Sequence, residues 1–244
     1  NYPADISMVE VLLETVKNLK LSALVSQSQD FRRYKLDQEN RIVATVFEAG
    51  NEQLKITIGK EAPTGNHTFV MVGDDKAVYH AIGSFRLDFD QPADAFRDKM
   101  ILKVTKPSVK GFTVSHKENT LTVRAEKQPE SEADETVWTS SDGTRQDSSA
   151  ISDFLSAISF LRCDGYRDDK SKQDAENKKA ILTIDIDANE KISLKLFKFY
   201  DSKKIFGISS LNDYVFRISE FDYKKIVKQI DLLFGTEPEK ADTP

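Results

Sequence analysis

The chain has 244 residues, 40 acidic against 35 basic, a formal net charge of −5, 39% hydrophobic residues and one cysteine. That length suits one large or two small domains with a core sufficient to fold without disulfides, and the lone Cys163 excludes an intramolecular bridge. Mild acidity argues against nucleic acid or an anionic membrane surface as the main partner, since those need a clustered basic face.

Val9, Leu12, Leu13, Val16 and Leu19 recur at i, i+3, i+4, i+7 and i+10, the apolar stripe of an amphipathic helix. Asp5 stands before it as an N-cap candidate. A polar connection over 27–40 leads to strand-like runs at 42–48 and 54–58, joined at the turn Ala49-Gly50-Asn51. Two more follow at 68–72 and 77–82 around Gly73-Asp74-Asp75. Alternation over 110–115 and 120–125 predicts a hairpin, then an acidic loop over 126–135 and a short run holding Trp138. A second helical stripe, Ile151, Phe154, Leu155, Ile158 and Leu161, is preceded by Asp147. The charge-dense segment 167–179 reads as an exposed connection. Strands are predicted at 181–186, 192–197, 205–209 and 214–218, and a last stripe from Tyr223 to Phe234, with Ser219 as N-cap and Gly235 as stop.

The second stripe repeats the first at an offset of 142, and both are followed by two hairpins in the same order. Turns this short make consecutive strands antiparallel, because a parallel crossover needs a dozen or more residues. The fold class expected is therefore α+β: two tandem helix-plus-antiparallel-meander repeats, packed side by side or sharing a sheet. The boundaries read as 1–103 for the first repeat, 104–235 for the second with its preceding hairpin, and 236–244 for a flexible tail. Trp138 has no first-repeat counterpart after residue 1, so the chain, opening on Asn1, reads as a processed or truncated piece.

Signals for chemistry are weak. Asp185-x-Asp187-x-Asn189 imitates the start of a calcium loop but carries Glu190 at the glycine position and Leu196 at the bidentate glutamate position, so it reads as a solvated turn. The segment 59–65 has glycines, a lysine and a threonine in the wrong order for a phosphate loop and reads as a strand connection. His67, His80 and His116 are too scattered for a zinc set. Cys163 reads as a buried thiol, the Asp168-Asp169 pair as solvated charge and Trp138 as a core anchor. Asn66-His67-Thr68 matches a glycosylation acceptor, a pattern common by accident. No catalytic, cofactor-binding or metal-ligating residue is assigned, no cofactor is expected, and the binding residues stay unknown.

Tyr2-Pro3-Ala4-Asp5 before a leucine-rich helix, Tyr34-Lys35-Leu36, Ile58-Gly59 with Pro63-Thr64-Gly65, Val78-Tyr79, Phe96-Arg97-Asp98-Lys99 and Trp138 together resemble the bacterial DUF4340 domain-of-unknown-function family. The chain departs from the family at Gln38-Glu39-Asn40, where a proline is common. The resemblance implies an envelope protein with one N-terminal membrane helix and an external repeated domain, encoded beside ABC-type transport or gliding genes; it carries over no catalytic residues. The expectation is thus a non-enzymatic, periplasmic or extracytoplasmic accessory domain, anchored upstream of Asn1, that binds another envelope protein or a transporter component and not nucleic acid. The alternative is a hydrolase-like enzyme whose site assembles from residues distant in sequence.

Overall fold

The structure is a computed structural model that describes residues 2–127, 136–200 and 202–236. Most of the expected acidic loop (128–135) and of the tail (237–244) lies outside the described residues. The fold is α+β, and the chain divides into two compact units, Asn1–Asp98 and Lys99–Pro244.

In the first unit, helix α1 (Ile6–Lys17) starts where the Asp5 side chain accepts the Ser7 amide at 3.1 Å, satisfying one of the unpaired first-turn donors. Strands β1 (Leu21–Ser26), β2 (Ile42–Glu48), β3 (Asn51–Glu61), β4 (His67–Val72) and β5 (Val78–Ile82) then form one antiparallel sheet in the order β1-β5-β4-β3-β2. The β2–β3 turn places Ala49 and Gly50 at φ of 49° and 82°, the left-handed pair that a tight hairpin needs. On one sheet face, Ile56, Ile58, Val70 and Ala81 meet Phe85, with Val16 and Leu19 from the α1 region packed against them. On the other, Tyr34 and Leu36 cover Phe69, Met71 and Val78. Short helix α2 (Arg86–Phe89) is held down by Arg86, whose guanidinium donates to the carbonyls of Asn40 (2.8 Å), Gly59 (2.9 Å) and Ile58 (3.2 Å).

The second unit contributes β6 (Met100–Lys103), β7 (Gly111–His116), β8 (Asn119–Lys127), β9 (Thr136–Ser140), α3 (Ser148–Ile158), β10 (Phe160–Arg162), β11 (Gly165–Ser171), α4 (Lys172–Glu176), β12 (Ala180–Asp187), β13 (Lys191–Lys198), β14 (Ile205–Ser209), β15 (Tyr214–Ile218) and α5 (Glu220–Leu233). Eight strands make an antiparallel sheet in the order β11-β15-β14-β13-β12-β7-β8-β9, while β6 and β10 pair separately. Helix α3 is capped like α1, Asp147 accepting the Ser149 amide at 2.8 Å. Its Ile151, Phe154, Leu155 and Ile158 are buried between the sheet and Ile226 and Ile230 of α5. Trp138 is a core anchor, as its type and place suggest: its ring lies 6.1 Å from Phe112, which lies 5.0 Å from Phe154 of α3.

Three expectations need correction. The first compact unit ends at Asp98 rather than 103, and Met100–Lys103 is β6, which pairs with β10 of the second unit. The charge-dense 167–179 segment is not a plain connection: its first part is edge strand β11, where outward charges are tolerated, and its middle is α4, started by a reciprocal cap between Ser171 and Asp174 with Ala175 buried beneath. The α1 stripe is not consumed as core. No α1 residue is buried, and Leu13 is 52% exposed where Leu155, its counterpart at offset 142, is 2% exposed.

Leu155→Ala should lower stability by about 2–5 kcal/mol through an unfilled cavity, while Leu13→Ala should cost less than about 1 kcal/mol. Denaturant midpoints at unchanged slope test this; equal losses would show that the two helices are equally buried.

Candidate functional site

The outer face of the eight-stranded sheet, opposite α3 and α5, carries the candidate site. Alternation along β7, β8 and β12 sends Phe112, Val123 and Ile186 into the core and leaves polar residues of the other parity facing out. Register then arranges those outward residues in rungs. Ser193, Asp185, Thr113 and Thr122 are successive partners across β13, β12, β7 and β8. One step along, Lys191, Asp187, Gly111, Arg124 and Thr139 form the next rung, ending on β9. Apart from Thr139, the two rungs line a cleft of about 700 Å³ together with Lys110.

Gly111 explains why there is a hollow. A Cβ at this position would stand 2.7 Å from the Val123 carbonyl oxygen, so the close approach of β7 and β8 requires glycine and leaves a gap between Asp187 and Arg124. The flanking strands are tied by the Thr113–Thr122 hydroxyl bond at 3.0 Å and by the Lys110 amide donating to the Asp187 carbonyl at 2.7 Å. Asp185 is exposed as a residue, yet loss of water around its carboxyl raises the pKa above the usual carboxylate range. The arrangement offers three cations, two carboxylates and short hydroxyls on a rigid sheet, suited to holding a polar, mixed-charge partner.

The residues singled out from sequence are dispersed. Asp185 is a strand residue in the cleft, not part of a turn; only Ala188, Asn189 and Glu190 lie between β12 and β13. Gly59 sits inside β3, where a Cβ would lie 2.3 Å from the Tyr34 carbonyl oxygen, and Pro63-Thr64-Gly65 form the β3–β4 turn. His67 and His80 stack at 5.1 Å on the first unit's sheet, burial first and His67 second pushing the His80 pKa down. His116 is buried, with Nδ1 2.9 Å from the Ile181 carbonyl oxygen. Cys163 is a buried thiol within the second unit's core. Asp169 is bonded by Arg167 at 2.9 Å, which lowers its pKa. Thr68 of the Asn66 sequon is buried, donating to the Gly83 carbonyl at 2.8 Å. Among the described residues no group of three or more His, Cys, Asp or Glu is placed to hold a metal ion. Arg124, Lys110, Thr113, Thr122, Lys191 and Ser193 have no signal in the sequence beyond outward parity on predicted strands, and Lys191 stands one residue before the strand predicted at 192–197.

A carboxyl whose pKa is raised by folding binds its proton more tightly in the fold, so it favours the fold as pH falls through that range and opposes it once both states are ionised. Asp185→Asn should therefore raise the thermal midpoint near pH ~7 and leave it unchanged near pH ~3, where the aspartate is neutral in both states. A lower midpoint for the variant near neutrality would show that a cation holds the ionised form instead.

No curated protein and no solved structure matches the chain. The family described as Domain of unknown function (DUF4340) matches residues 1–183, from the first residue to within β12. With that match spanning the first unit and, in the second, everything up to the start of β12, well over half of the chain, the chain belongs to the DUF4340 family.

Proposed function

We propose that the chain is a duplicated binding module of the cell envelope whose polar sheet face, built on β7, β8, β12 and β13, docks another envelope polypeptide or a transporter component. The observation that carries this is the pair of rungs around Gly111, where Arg124, Lys110 and Lys191 alternate with Asp185 and Asp187 on an open, rigid surface. Alternating charge on a flat face sets the register and choice of a partner more than its raw affinity. Exposed apolar side chains in the first unit, Ile6 at 72% and Leu87 at 67% among them, are further contact surface of the kind partners cover.

Duplication is supported by two correspondences. The caps Asp5 and Asp147 each accept the amide two residues on. The order β1-β5-β4-β3-β2 recurs strand for strand as β11-β15-β14-β13-β12. The envelope location, the membrane tether and the association with ABC-type transport or gliding rest on what the family resemblance implies. No helix among the described residues is long and apolar enough to cross a membrane.

A photo-crosslinking residue at Thr122 in the full-length protein, expressed in its own cells, tests the face directly. The expected result is one adduct with an envelope polypeptide, reduced at least about tenfold by Arg124→Glu. Equal adducts from a crosslinker at Lys225 on α5, or insensitivity to Arg124→Glu, would contradict the reading.

A further inference from the structure

A second cleft of the Lys99–Pro244 unit lies at the sheet end where β13 leaves, β14 enters and β15 passes into α5. Register brings its parts together: Lys198 pairs with Ile205, Ile205 with Ile218, and Phe206 with Arg217. Among the described residues, the cleft of about 640 Å³ is lined by Lys198, Lys203, Lys204, Arg217 and Lys224 against two carboxylates, Asp164 and Glu220. Both carboxylates are already engaged, Asp164 by Arg217 at 3.5 Å and Glu220 by Lys224 at 2.8 Å. Among the described residues, Lys203 and Lys204 have no carboxylate within ion-pairing distance, and Lys198 acts on Glu220 only from farther off.

Among the described residues the lining carries a local excess of three positive charges in a chain of net charge −5. Mutual repulsion among ammonium groups opposes folding, so such a cluster contributes nothing to stability unless an anion fills it. Its floor is apolar, with Ile205 and Ile218 buried and Tyr223 at the rim, which suits a ligand that has a body as well as a charge. At the α5 N-terminus the Asp222 amide is already taken, accepted by Ser219 at 2.9 Å.

We propose that this cleft binds a phosphate group, held by Lys198, Lys203, Lys204 and Arg217, with the remainder of the ligand over Ile205, Ile218 and Tyr223. The arginine offers a planar donor fork and the lysines mobile point charges, the combination that recognises phosphate oxygens. The group belongs to a soluble phosphorylated molecule or to a lipid headgroup, and the test separates them.

The full chain is titrated with inorganic pyrophosphate at low ionic strength, reading amide shifts at Ile205 and Ile218, and is sedimented with phosphatidylcholine vesicles with and without phosphatidic acid. Saturable pyrophosphate binding without sedimentation identifies a soluble ligand; sedimentation that requires phosphatidic acid identifies a headgroup. In either case Lys203→Glu with Lys204→Glu, both exposed, should weaken binding at least about tenfold, one decade in dissociation constant, with a melting temperature no lower than the parent's because the repulsion among the lysines is relieved. Equal binding by this variant overturns the proposal. So does the absence of saturable binding to either probe.

Discussion

Each unit depends on one long-range strand pairing. In the first unit the strand that follows the leading helix pairs not with the next strand in sequence but with the last strand of the meander, β1 with β5, as in Leu24 with Tyr79; in the second, where the short β10 comes between, β11 pairs in the same way with β15, as in Tyr166 with Phe216. Closing so long a loop adds little beyond a short one, about 0.6 kcal/mol per doubling of length, so apolar burial offsets it readily. Once closed, the pairing leaves one sheet face for the leading helix and the other for a short helical segment, Phe31–Tyr34 in one unit and α4 in the other. The second unit then extends beyond β12 through β7, β8 and β9, and that extension supplies both Trp138 for the core and the outward rungs of the candidate site.

Much of this was legible before any coordinates. Strands with a clean period of two, such as 110–115 and 120–125, appear where the alternation and turn residues put them. So do the caps Asp5, Asp147 and Ser219, because a short polar side chain before an apolar period of 3.6 has one economical use. Strands β1, β6, β10 and β11 escaped for different reasons. β6 and β10 have four and three residues, too short to show a period. β11 reads Gly-Tyr-Arg-Asp-Asp-Lys-Ser, whose charges sit on an edge and disguise a strand as a loop. Burial of α1 was overestimated because a stripe states which face is apolar, not how completely a neighbour covers it; α3 has α5 against it and α1 has only the four-residue α2.

The candidate sites were less legible than the fold. Asp185 falls in the strand expected over 181–186, as its pairing with Thr113 and Ser193 bears out, and the turn suggested by the Asp185-x-Asp187-x-Asn189 spacing begins only after Asp187. Arg124 and Asp187 are ordinary charges in sequence and come to flank a gap only through the register around Gly111. The basic cleft draws on residues from 164 to 224, so no window of the chain shows its charge excess, and a net charge of −5 hides it further. Local patterns report what neighbours along the chain can do, while sites like these exist only after the sheet has set its register.

The proposed duplication stands or falls on the two closing pairs being equivalent. Inter-strand Hα–Hα contacts measured by NMR would decide it, since non-hydrogen-bonded antiparallel partners bring Cα atoms within about 4.5 Å. The account predicts such contacts from residues 21–26 to 78–82 and equally from 165–171 to 214–218. Contacts that instead join either leading strand to the segment after it, 42–48 or 180–187, would contradict it.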